Sequence, residues 1–345
     1  MSVRLILMTK RLFLSLALVS TAHAQWEQLP PLPEPNGGFI CGHSNGKIVV
    51  LGGTNWEGGK KNWLKVAHFY DPVNRTWRSS HNMSEPVAYA AAFQGEHHFA
   101  FMGGFDGLRS AMFFGWAEEP KPVQHFNFGQ PDDMVLSASG MIDEKLIVVG
   151  GLADPAKIES VHRKTVILEW GKEERHFFRT ENAGSTPGYR LQHNFKVTRL
   201  VDYPGKPFAT AGSAVVGDEL FVFGGMNYDA AARLPANSVE AYAFSPEKNV
   251  WRALKPLSAA NRGLTAVALD DGHIYIAGGY RDDFTAEAVI YDVKADSYWK
   301  APPIPYAAMV GLVKLDGFVY CLGGEDKKQS RTDKFFRVPV SELLK

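Results

Sequence analysis

At six places along this chain a Gly-Gly pair closes a short apolar run such as KIVVLGG, LFVFGG or IYIAGG. The pairs begin at Gly52, Gly103, Gly150, Gly224, Gly278 and Gly323. The spacing from one pair to the next is 51, 47, 74, 54 and 45 residues. Self-similarity at roughly 40–50 residues is typical of a β-propeller, in which each unit is a small antiparallel sheet. The repeat therefore predicts an all-β chain whose loops meet around a central funnel.

The strands of each unit follow a common order. A strand of small residues, a polar turn and a buried strand lead to the Gly pair, and an outer strand bearing Trp ends the unit, as at Trp77, Trp251 and Trp299. The last Gly pair is followed by KFFRVPV but by no strand of this last kind. The segment Trp26–Leu29 has the missing pattern. We therefore predict six blades, with the ring closed by the N-terminal outer strand pairing with the last blade.

Two units depart from this order. The second ends in MFFGWAEEPKPVQHF, which lacks the usual outer-strand pattern. The third is followed by a polar segment, residues 171–194, which accounts for the 74-residue spacing. This segment is predicted to be an insertion at the outer edge of the blade, and the alternative is a lid over one face, because long loops are often functional.

The first 24 residues have the composition of a secretory signal. Basic residues precede the apolar run LFLSLALVS, and Ala22-His23-Ala24 fits a cleavage site before Gln25. The run is too short to span a bilayer, so cleavage is favoured over an uncleaved anchor. We expect a mature domain of residues 25–345 in the periplasm or secreted, with no membrane attachment after cleavage. The 37 basic and 37 acidic residues give no net charge, and no partner of the nucleic-acid class is predicted.

The two cysteines, Cys41 and Cys321, fall in predicted inner strands of the first and last blades. These blades would be neighbours in a closed ring. A disulfide is one interpretation in an oxidising compartment, and two buried thiols are the other.

Polar residues shortly after each Gly pair are the candidate site residues, because six loops would point at one funnel. Any single one of them can equally be a turn residue. The candidates that follow the Gly pairs are Asn55, Trp56, Arg109, Asn227, Arg281 and Glu325, the last of these together with Arg331.

The sixth loop, GGEDKKQSRTDKFF, is the most informative. It places Glu325 directly after the Gly pair and Arg331 six residues later. A carboxylate can move protons, and a guanidinium can hold a ligand carboxylate in a bidentate grip. The alternative is an ion pair that bridges adjacent blades.

The repeat resembles the kelch superfamily over the whole mature chain. Within it, the chain resembles the N-acetylneuraminate epimerase (sialic acid mutarotase) family of secreted six-bladed propellers. The GE-x5-RTD stretch is similar to that family's motif, which implies a catalytic role for Glu325 and a substrate-binding role for Arg331. The segments LPPLPEPNGGFICG, LGGTNWEGG and YPGKPFATAGSAVVGDELFVFGG also match, in rotated order, so the chain resembles the cyclically permuted branch. A closed ring has no preferred first blade, so rotation moves only the seam.

Two features depart from that family. Phe208 stands near a position where the family carries an Arg, and the loop after Gly278-Gly279 is short. Arg262 and Arg281 are candidates to replace the missing charge.

The resemblance implies an isomerase that interconverts the anomers of N-acetylneuraminate or a related acidic sugar by acid/base chemistry, with no cofactor and no metal. The alternative is a non-catalytic propeller that binds carbohydrate or protein. A third interpretation, a copper radical oxidase resembling galactose oxidase, requires a Cys-Tyr crosslink and paired His ligands. His43, His97 and His98 lack ligand-like spacing, which disfavours it.

Overall fold

The structure, a computed structural model, describes residues 25–80, 83, 85–95, 99–104, 111–112, 124–125, 134–178 and 188–345. For residues 111–112, 124–125, 170–178 and 188–195 it describes the backbone alone. The predicted signal sequence and Arg109 lie outside the described residues.

The chain is built almost entirely of short antiparallel strands. Up to residue 125 they are β1 (Glu27–Gln28), β2 (Ile40–Ser44), β3 (Lys47–Leu51), β4 (Thr54–Glu57), β5 (Lys60–Trp63), β6 (Ala67–Asp71), β7 (Thr76–Ser80), β8 (Ala91–Gln94), β9 (Phe99–Met102), β10 (Ala111–Met112) and β11 (Gln124–His125). The middle of the chain forms β12 (Ala138–Ile142), β13 (Lys145–Val149), a 3-10 turn (Ile158–Ser160), β14 (Thr165–Phe178), β15 (Gly188–Arg199), β16 (Gly212–Val216), β17 (Glu219–Phe223), β18 (Met226–Asp229), β19 (Leu234–Asn237), β20 (Ala241–Ser245) and β21 (Val250–Ala253). The last part forms β22 (Thr265–Ala268), β23 (His273–Ala277), β24 (Ala288–Asp292), β25 (Ser297–Ala301), β26 (Met309–Leu315), β27 (Phe318–Glu325), β28 (Phe335–Pro339) and α1 (Val340–Leu343).

Five four-stranded antiparallel sheets are present in the described residues. Their strand orders are β2-β3-β6-β7, β12-β13-β14-β15, β16-β17-β20-β21, β22-β23-β24-β25 and β1-β28-β27-β26. The prediction of six such blades is wrong for the described residues. At the second repeat the chain forms the two-stranded sheet β8-β9 and the separate pair β10-β11. The sequence of this repeat contains AEEPKP, and proline cannot donate a hydrogen bond to a neighbouring strand.

The N-terminal strand belongs to the last sheet. In β1, Glu27 pairs with Arg337 and Gln28 pairs with Phe336 of β28. The neighbouring Trp26 donates its indole N–H to the Pro303 carbonyl, at 2.9 Å. The outer-strand tryptophans make the same kind of bond elsewhere in the chain, where Trp77 donates to Pro30 O and Trp251 donates to Val201 O.

The innermost strands lie side by side around a channel. Each inner strand contacts the next in the order β2, β8, β12, β16, β22 and β26, and β26 contacts β2 in turn. The channel has a volume of about 830 Å³. Apolar side chains fill the spaces between adjacent sheets, so that Ile48 and Tyr70 of the first sheet pack with Tyr320 and Phe335 of the last. This packing between sheets is the core of the protein, and it holds the loops at both ends of the channel.

The segment 171–194 continues the two outer strands of its sheet where it is described. Residues up to Phe178 in β14 pair antiparallel with residues from Gly188 in β15, with one register shift between Trp170 and Glu173. The described backbone is thus an elongated hairpin.

Cys41 and Cys321 are free thiols, and burial raises the pKa of each to about 12. Among the helical residues that the structure describes, no segment is both long and apolar enough to cross a membrane.

Candidate functional site

A cavity of about 280 Å³ lies at the end of the channel where the turns precede the inner strands. Its wall takes residues from the turns before β2, β8, β12, β16 and β22, from the start of β26, and from the loop after β27. Glu325, the last residue of β27, and Arg331, in the loop that follows it, complete the wall. Because residues from every inner-strand turn reach it, the cavity is the place where side chains from distant parts of the sequence meet.

Main-chain hydrogen bonds join these turns to one another. The amide of Tyr89 donates to Gly38 O at 2.8 Å, Leu136 to Tyr89 O at 2.9 Å, Thr210 to Leu136 O at 2.8 Å and Gly263 to Thr210 O at 2.8 Å. All five residues have φ between 55° and 70°, the left-handed region. We call these five residues the collar. The bonds fix where each collar side chain leaves the backbone at the cavity.

Glu325 is positioned by an unusual strand end. β27 continues through its Gly pair, whereas β3, β13, β17 and β23 end before theirs. Glu325 pairs with Met309 across a bulge between Met309 and Gly311. Gly324 has φ +108°, and a Cβ there would lie 2.1 Å from Met309 O. A bulge can redirect a side chain, and only glycine allows this close approach of the backbones.

Arg331 lies against Glu325 with its side chain almost fully buried. Its Nη1 is 3.2 Å from Glu325 Oε2, and the two side chains are 4% and 34% exposed. Nε donates to Thr54 Oγ1 at 3.2 Å, Nη1 to Ser330 O at 2.7 Å and Nη2 to Tyr89 OH at 3.3 Å. Three of these contacts are hydrogen bonds and the one with Glu325 is an ion pair, so one N–H on Nη1 and one on Nη2 have no hydrogen-bond acceptor among the described residues.

A further Gly pair, absent from the repeat pattern, makes room for the side chains at the cavity. A Cβ on Gly37 would lie 2.3 Å from Arg331 Cδ, and one on Gly38 would lie 2.2 Å from Tyr89 Cε1. Any larger residue here would displace the arginine or the tyrosine. The two glycines of the sequence NGGF (residues 36–39) therefore leave the space that the Arg331 and Tyr89 side chains occupy.

Tyr89 is bound by two cations. Lys61 Nζ donates to its hydroxyl at 2.9 Å, in addition to Arg331 Nη2, and the ammonium lies 4.9 Å from the ring centre. Burial acts to raise the pKa of Tyr89. The hydrogen bond from Lys61, the contact with Thr54 Oγ1 and the charges of Lys61 and Arg331 outweigh burial, so the pKa lies below its ordinary value of 10.

Two hydroxyls line the cavity on other turns. Ser137 Oγ and Thr210 Oγ1 are buried and have no hydrogen-bond partner among the described residues. Buried polar groups are usually paired, so these two oxygens are exceptions among the residues that line the cavity.

The other predicted site residues lie away from this cavity. The amide of Asn55 donates to Glu34 Oε2 at 3.1 Å and accepts from Asn62 at 3.0 Å. Trp56 lies in the hairpin β4-β5, opposite Lys61, and its indole N–H is buried without a partner among the described residues. Neither lines the cavity.

Arg281 and Asn227 also lie elsewhere. Arg281 Nη1 is 2.6 Å from Glu287 Oε2 at the surface of its sheet. Asn227 is buried in β18, opposite Ala236. Arg262, a candidate for the missing charge, lies 4.6 Å above the Tyr280 ring and donates to Asn237. Phe208 is buried beneath Tyr203.

Sequence reasoning did not identify Tyr89, Lys61 or Thr54. Tyr89 carries a signal that aligning the units would have shown, because it occupies the place of Gly38, Leu136, Thr210 and Gly263. Lys61 has no such signal, since it lies in a surface hairpin of another sheet. Within the described ranges no cluster of three or more His, Cys, Asp or Glu side chains is arranged to hold a metal ion.

Comparison with known proteins supports a kelch-repeat propeller. The Kelch motif matches residues 38–84 and 207–258, which are the first sheet and the sheet of β16 to β21. Together these segments make up less than half of the chain.

Three curated relatives match part of the chain. Kelch-like protein 36 from Rattus norvegicus is 34% identical over 126 residues, covering 34% of this chain and 19% of that protein. Kelch-like protein terF from Aspergillus terreus is 31% identical over 134 residues, covering 36% of this chain and 28% of that protein. N-acetylneuraminate epimerase from Salmonella typhimurium is 25% identical over 177 residues, covering 40% of this chain and 46% of that protein. The matches therefore span less than half of each relative. They support kelch repeats and weak similarity both to kelch-like proteins and to the epimerase.

Proposed function

We propose that the chain is an isomerase that interconverts the anomers of N-acetylneuraminate or a related acidic sugar, working in the periplasm or outside the cell. The observation that carries the proposal is the contact between Glu325 and Arg331 on the wall of one cavity, with 3.2 Å between carboxylate and guanidinium. A proton-transfer group and a carboxylate-binding group thus lie within reach of a single small molecule.

The fold we propose for this function is a ring of six units. The two-stranded sheet β8-β9 is the second unit, and β1 joins the ring by pairing with β28. The inner strand of each unit contacts the next around the channel, which supports a continuous ring. A rigid ring suits a site assembled from several turns, because it keeps them in fixed relative positions.

The proposed chemistry needs only the residues present. Glu325, one third exposed, takes the proton of the anomeric hydroxyl, and the ring opens to the free carbonyl form. Arg331 holds the sugar carboxylate through its remaining N–H groups, one on Nη1 and one on Nη2. Sugars mutarotate unaided, so a modest acceleration serves, and one positioned acid/base typically contributes about 10²–10⁴-fold.

The size of the cavity suits a small ligand. Its volume of about 280 Å³ lies near the lower end of the roughly 300–1,000 Å³ typical of ligand pockets. The charged groups on and directly behind its wall are Arg331, Lys61 and Glu325, so the cations outnumber the carboxylate. This charge favours an anionic sugar over a neutral one.

The alternative proposal is a propeller that binds carbohydrate or protein without catalysis. Two observations favour it. The similarity to kelch-like proteins is as strong as the similarity to the epimerase. Arg331 also already has three hydrogen-bond acceptors and one ion-pair partner in the protein, as a structural arginine would.

The two proposals are separated by NMR exchange spectroscopy on reducing sugars with and without a carboxylate. We expect wild-type protein to speed anomer exchange of N-acetylneuraminate but not of glucose. Glu325→Gln should abolish this acceleration, while Glu287→Gln, which alters the surface Glu–Arg pair, should leave it intact. Saturable binding with no faster exchange in the wild type would select the binding module.

A further inference from the structure

The hydroxyl of Tyr89 has an unusual set of partners. Lys61 Nζ at 2.9 Å and Arg331 Nη2 at 3.3 Å both lie within hydrogen-bond distance of it. Ammonium and guanidinium groups can only donate hydrogen bonds. Both contacts therefore use lone pairs of the phenol oxygen, and neither can accept its proton.

The proton of that hydroxyl has no good acceptor among the described residues. The remaining contact is Thr54 Oγ1 at 3.5 Å, which is long for an O–H···O bond, whose usual length is about 2.7–2.8 Å. Thr54 Oγ1 also accepts from Arg331 Nε and lies 3.0 Å from Gly37 O, to which it donates. Tyr89 lines the cavity, so its proton is free for a ligand there.

The ring of Tyr89 is held in place from several sides. The backbone bonds of the collar fix its main chain at φ 60°. Leu136 and Thr210 adopt the same conformation, so the strained φ belongs to the turn and not to tyrosine in particular. Trp63 packs edge-on against the ring at 6.1 Å, and the absence of a side chain at Gly38 leaves the ring its space. A fixed ring of this kind can present its hydroxyl in one direction.

We propose that Tyr89 is the second catalytic residue of the isomerase, the proton donor to the sugar's ring oxygen, and that Lys61 is its positioning residue. The inference rests on the proposed function and adds the acid that ring opening requires. Glu325 and Tyr89 contact the two ends of the same guanidinium, Nη1 and Nη2 of Arg331, and both line the cavity. One monosaccharide bound by Arg331 would therefore lie between them.

The step balances without any further reactant. Glu325 removes the proton of the anomeric hydroxyl, the carbonyl forms, and the bond between the anomeric carbon and the ring oxygen breaks. The electron pair of that bond goes to the ring oxygen, which takes the proton of Tyr89. The phenolate that remains is stabilised by Lys61 and Arg331. After rotation of the carbonyl carbon, ring closure returns the proton to Tyr89 and the other proton from Glu325 to the new anomeric hydroxyl.

The charges around Tyr89 suit this role. The charged groups facing its hydroxyl are Lys61 from β5 and Arg331 from the loop before β28, and Glu325 acts through Arg331. The two cations help to hold the pKa of Tyr89 below 10, against the effect of burial. A phenol of lowered pKa gives up its proton more readily than an ordinary tyrosine.

The test is anomer exchange of N-acetylneuraminate, measured by NMR as a function of pH. Tyr89→Phe should lower kcat about 10²–10⁴-fold, because the transferred proton is lost. KM should rise far less than kcat falls, because the phenol oxygen is one of several groups that orient Arg331. Tyr298→Phe is the matched control, since it deletes a hydroxyl that donates to Lys255 O far from the cavity. The control should keep wild-type kinetics.

Lys61→Met separates a catalytic phenol from a structural one. Loss of the ammonium should raise the pKa of Tyr89, so the high-pH limb of the kcat profile should move to higher pH. Lys60→Met, at an exposed position of the same hairpin, should leave the profile unchanged. The ultraviolet difference titration between wild type and Tyr89→Phe should show the same upward movement when Lys61 is replaced.

The inference is overturned if Tyr89→Phe keeps wild-type kcat and the wild-type pH profile while Glu325→Gln is inactive. In that case Glu325 remains catalytic and the proton donor lies elsewhere. If wild-type protein does not speed exchange at all, the proposed function fails, and the role of Tyr89 fails with it.

Discussion

Two Glu–Arg pairs lie in neighbouring sheets of this propeller. They consist of the same residue types but differ in distance, exposure and surrounding partners. Glu325 and Arg331 are 3.2 Å apart at the cavity, and the arginine side chain is 4% exposed. Glu287 and Arg281 are only 2.6 Å apart, but their side chains are 68% and 33% exposed. The shorter distance therefore belongs to the pair in solvent, where such pairs contribute little.

The surroundings distinguish the two pairs. Arg331 also donates to Thr54, Tyr89 and the Ser330 carbonyl, which hold its guanidinium in one orientation. Arg281 Nε is buried and has no partner among the described residues. A charge placed by several fixed partners is preorganised for a ligand, and a charge with one mobile partner is not. Burial and fixed hydrogen-bond partners, more than the distance between the charged atoms, therefore distinguish a pair suited to binding a ligand.

The largest effect is expected from the glycines that precede each pair. Gly324→Ala would force φ +108° on alanine and place its Cβ 2.1 Å from Met309 O. Gly279→Ala would force φ +104° and a contact of 2.4 Å with Asn261 Oδ1. Each change should cost more than about 3 kcal/mol of unfolding free energy in urea titrations, since the backbone conformation alone accounts for about 1–3 kcal/mol.

Binding should distinguish these two variants although their stabilities fall alike. Only Gly324→Ala moves Glu325, so only it should weaken sugar binding by the folded protein. Gly217→Ala, where no atom lies within 4 Å of the added Cβ, is the control for the cost of positive φ alone. Equal loss of binding in the Gly279 and Gly324 variants would contradict the claim that only the pair at the cavity binds the sugar.

The second effect concerns the arginines themselves. Arg331→Leu removes a buried hydrogen-bonded cation and should cost about 2–3 kcal/mol, somewhat less than for a fully buried pair because Glu325 is one third exposed. Arg281→Leu should cost less than about 1 kcal/mol. Urea unfolding of both variants measures the difference. Equal costs would mean that the two pairs are structurally equivalent.

The smallest effect is expected at a third, solvent-exposed carboxylate. Glu27 bonds to Arg337 at 2.6 Å and also contacts Arg75. The hydrogen bond from Arg337 is the main cause that holds the pKa of Glu27 below its ordinary value of 4.5; burial opposes it, and Arg75 lowers the pKa further by a smaller amount. Since the folded-state pKa is lowered, the stabilisation is present above pH 4.5 and is lost as pH falls through the folded-state pKa.

Glu27→Gln should therefore lower the unfolding free energy by less than about 1 kcal/mol at neutral pH. The difference from wild type should shrink as the pH falls below 4.5. Urea titrations at several pH values measure this. A difference that grows on acidification would contradict the role given to Arg337.

Much of the fold was accessible from the sequence because it depends on local rules. The Gly pairs end or interrupt the second strand of each unit, and all twelve of their glycines have positive φ. Trp26 was predicted to replace a missing outer-strand tryptophan, and its indole bonds to Pro303 O as those of Trp77 and Trp251 bond to their own linkers. The prediction of a four-stranded blade failed at the second unit for the described residues. A regular spacing of glycines does not require four strands in every unit.

The site was less accessible because its contacts cross the chain. Tyr89 meets Arg331 across 242 residues, and Arg331 meets Thr54 across 277. A loop position after a Gly pair does not decide where a side chain points, as Arg281 shows by pairing with Glu287. The bulge beside Glu325 and the space left by Gly37 and Gly38 decide it, and neither has a local sequence rule.

The most direct test of the account is sugar binding by the two arginines, each replaced by lysine so that the charge remains. Saturation-transfer NMR with N-acetylneuraminate gives the Kd for the wild type, Arg331→Lys and Arg281→Lys. We expect Arg331→Lys to weaken binding about tenfold or more, because lysine lacks the planar two-donor grip, and Arg281→Lys to leave the Kd unchanged. Equal affinity in all three proteins would contradict the claim that the buried arginine at the cavity holds the sugar.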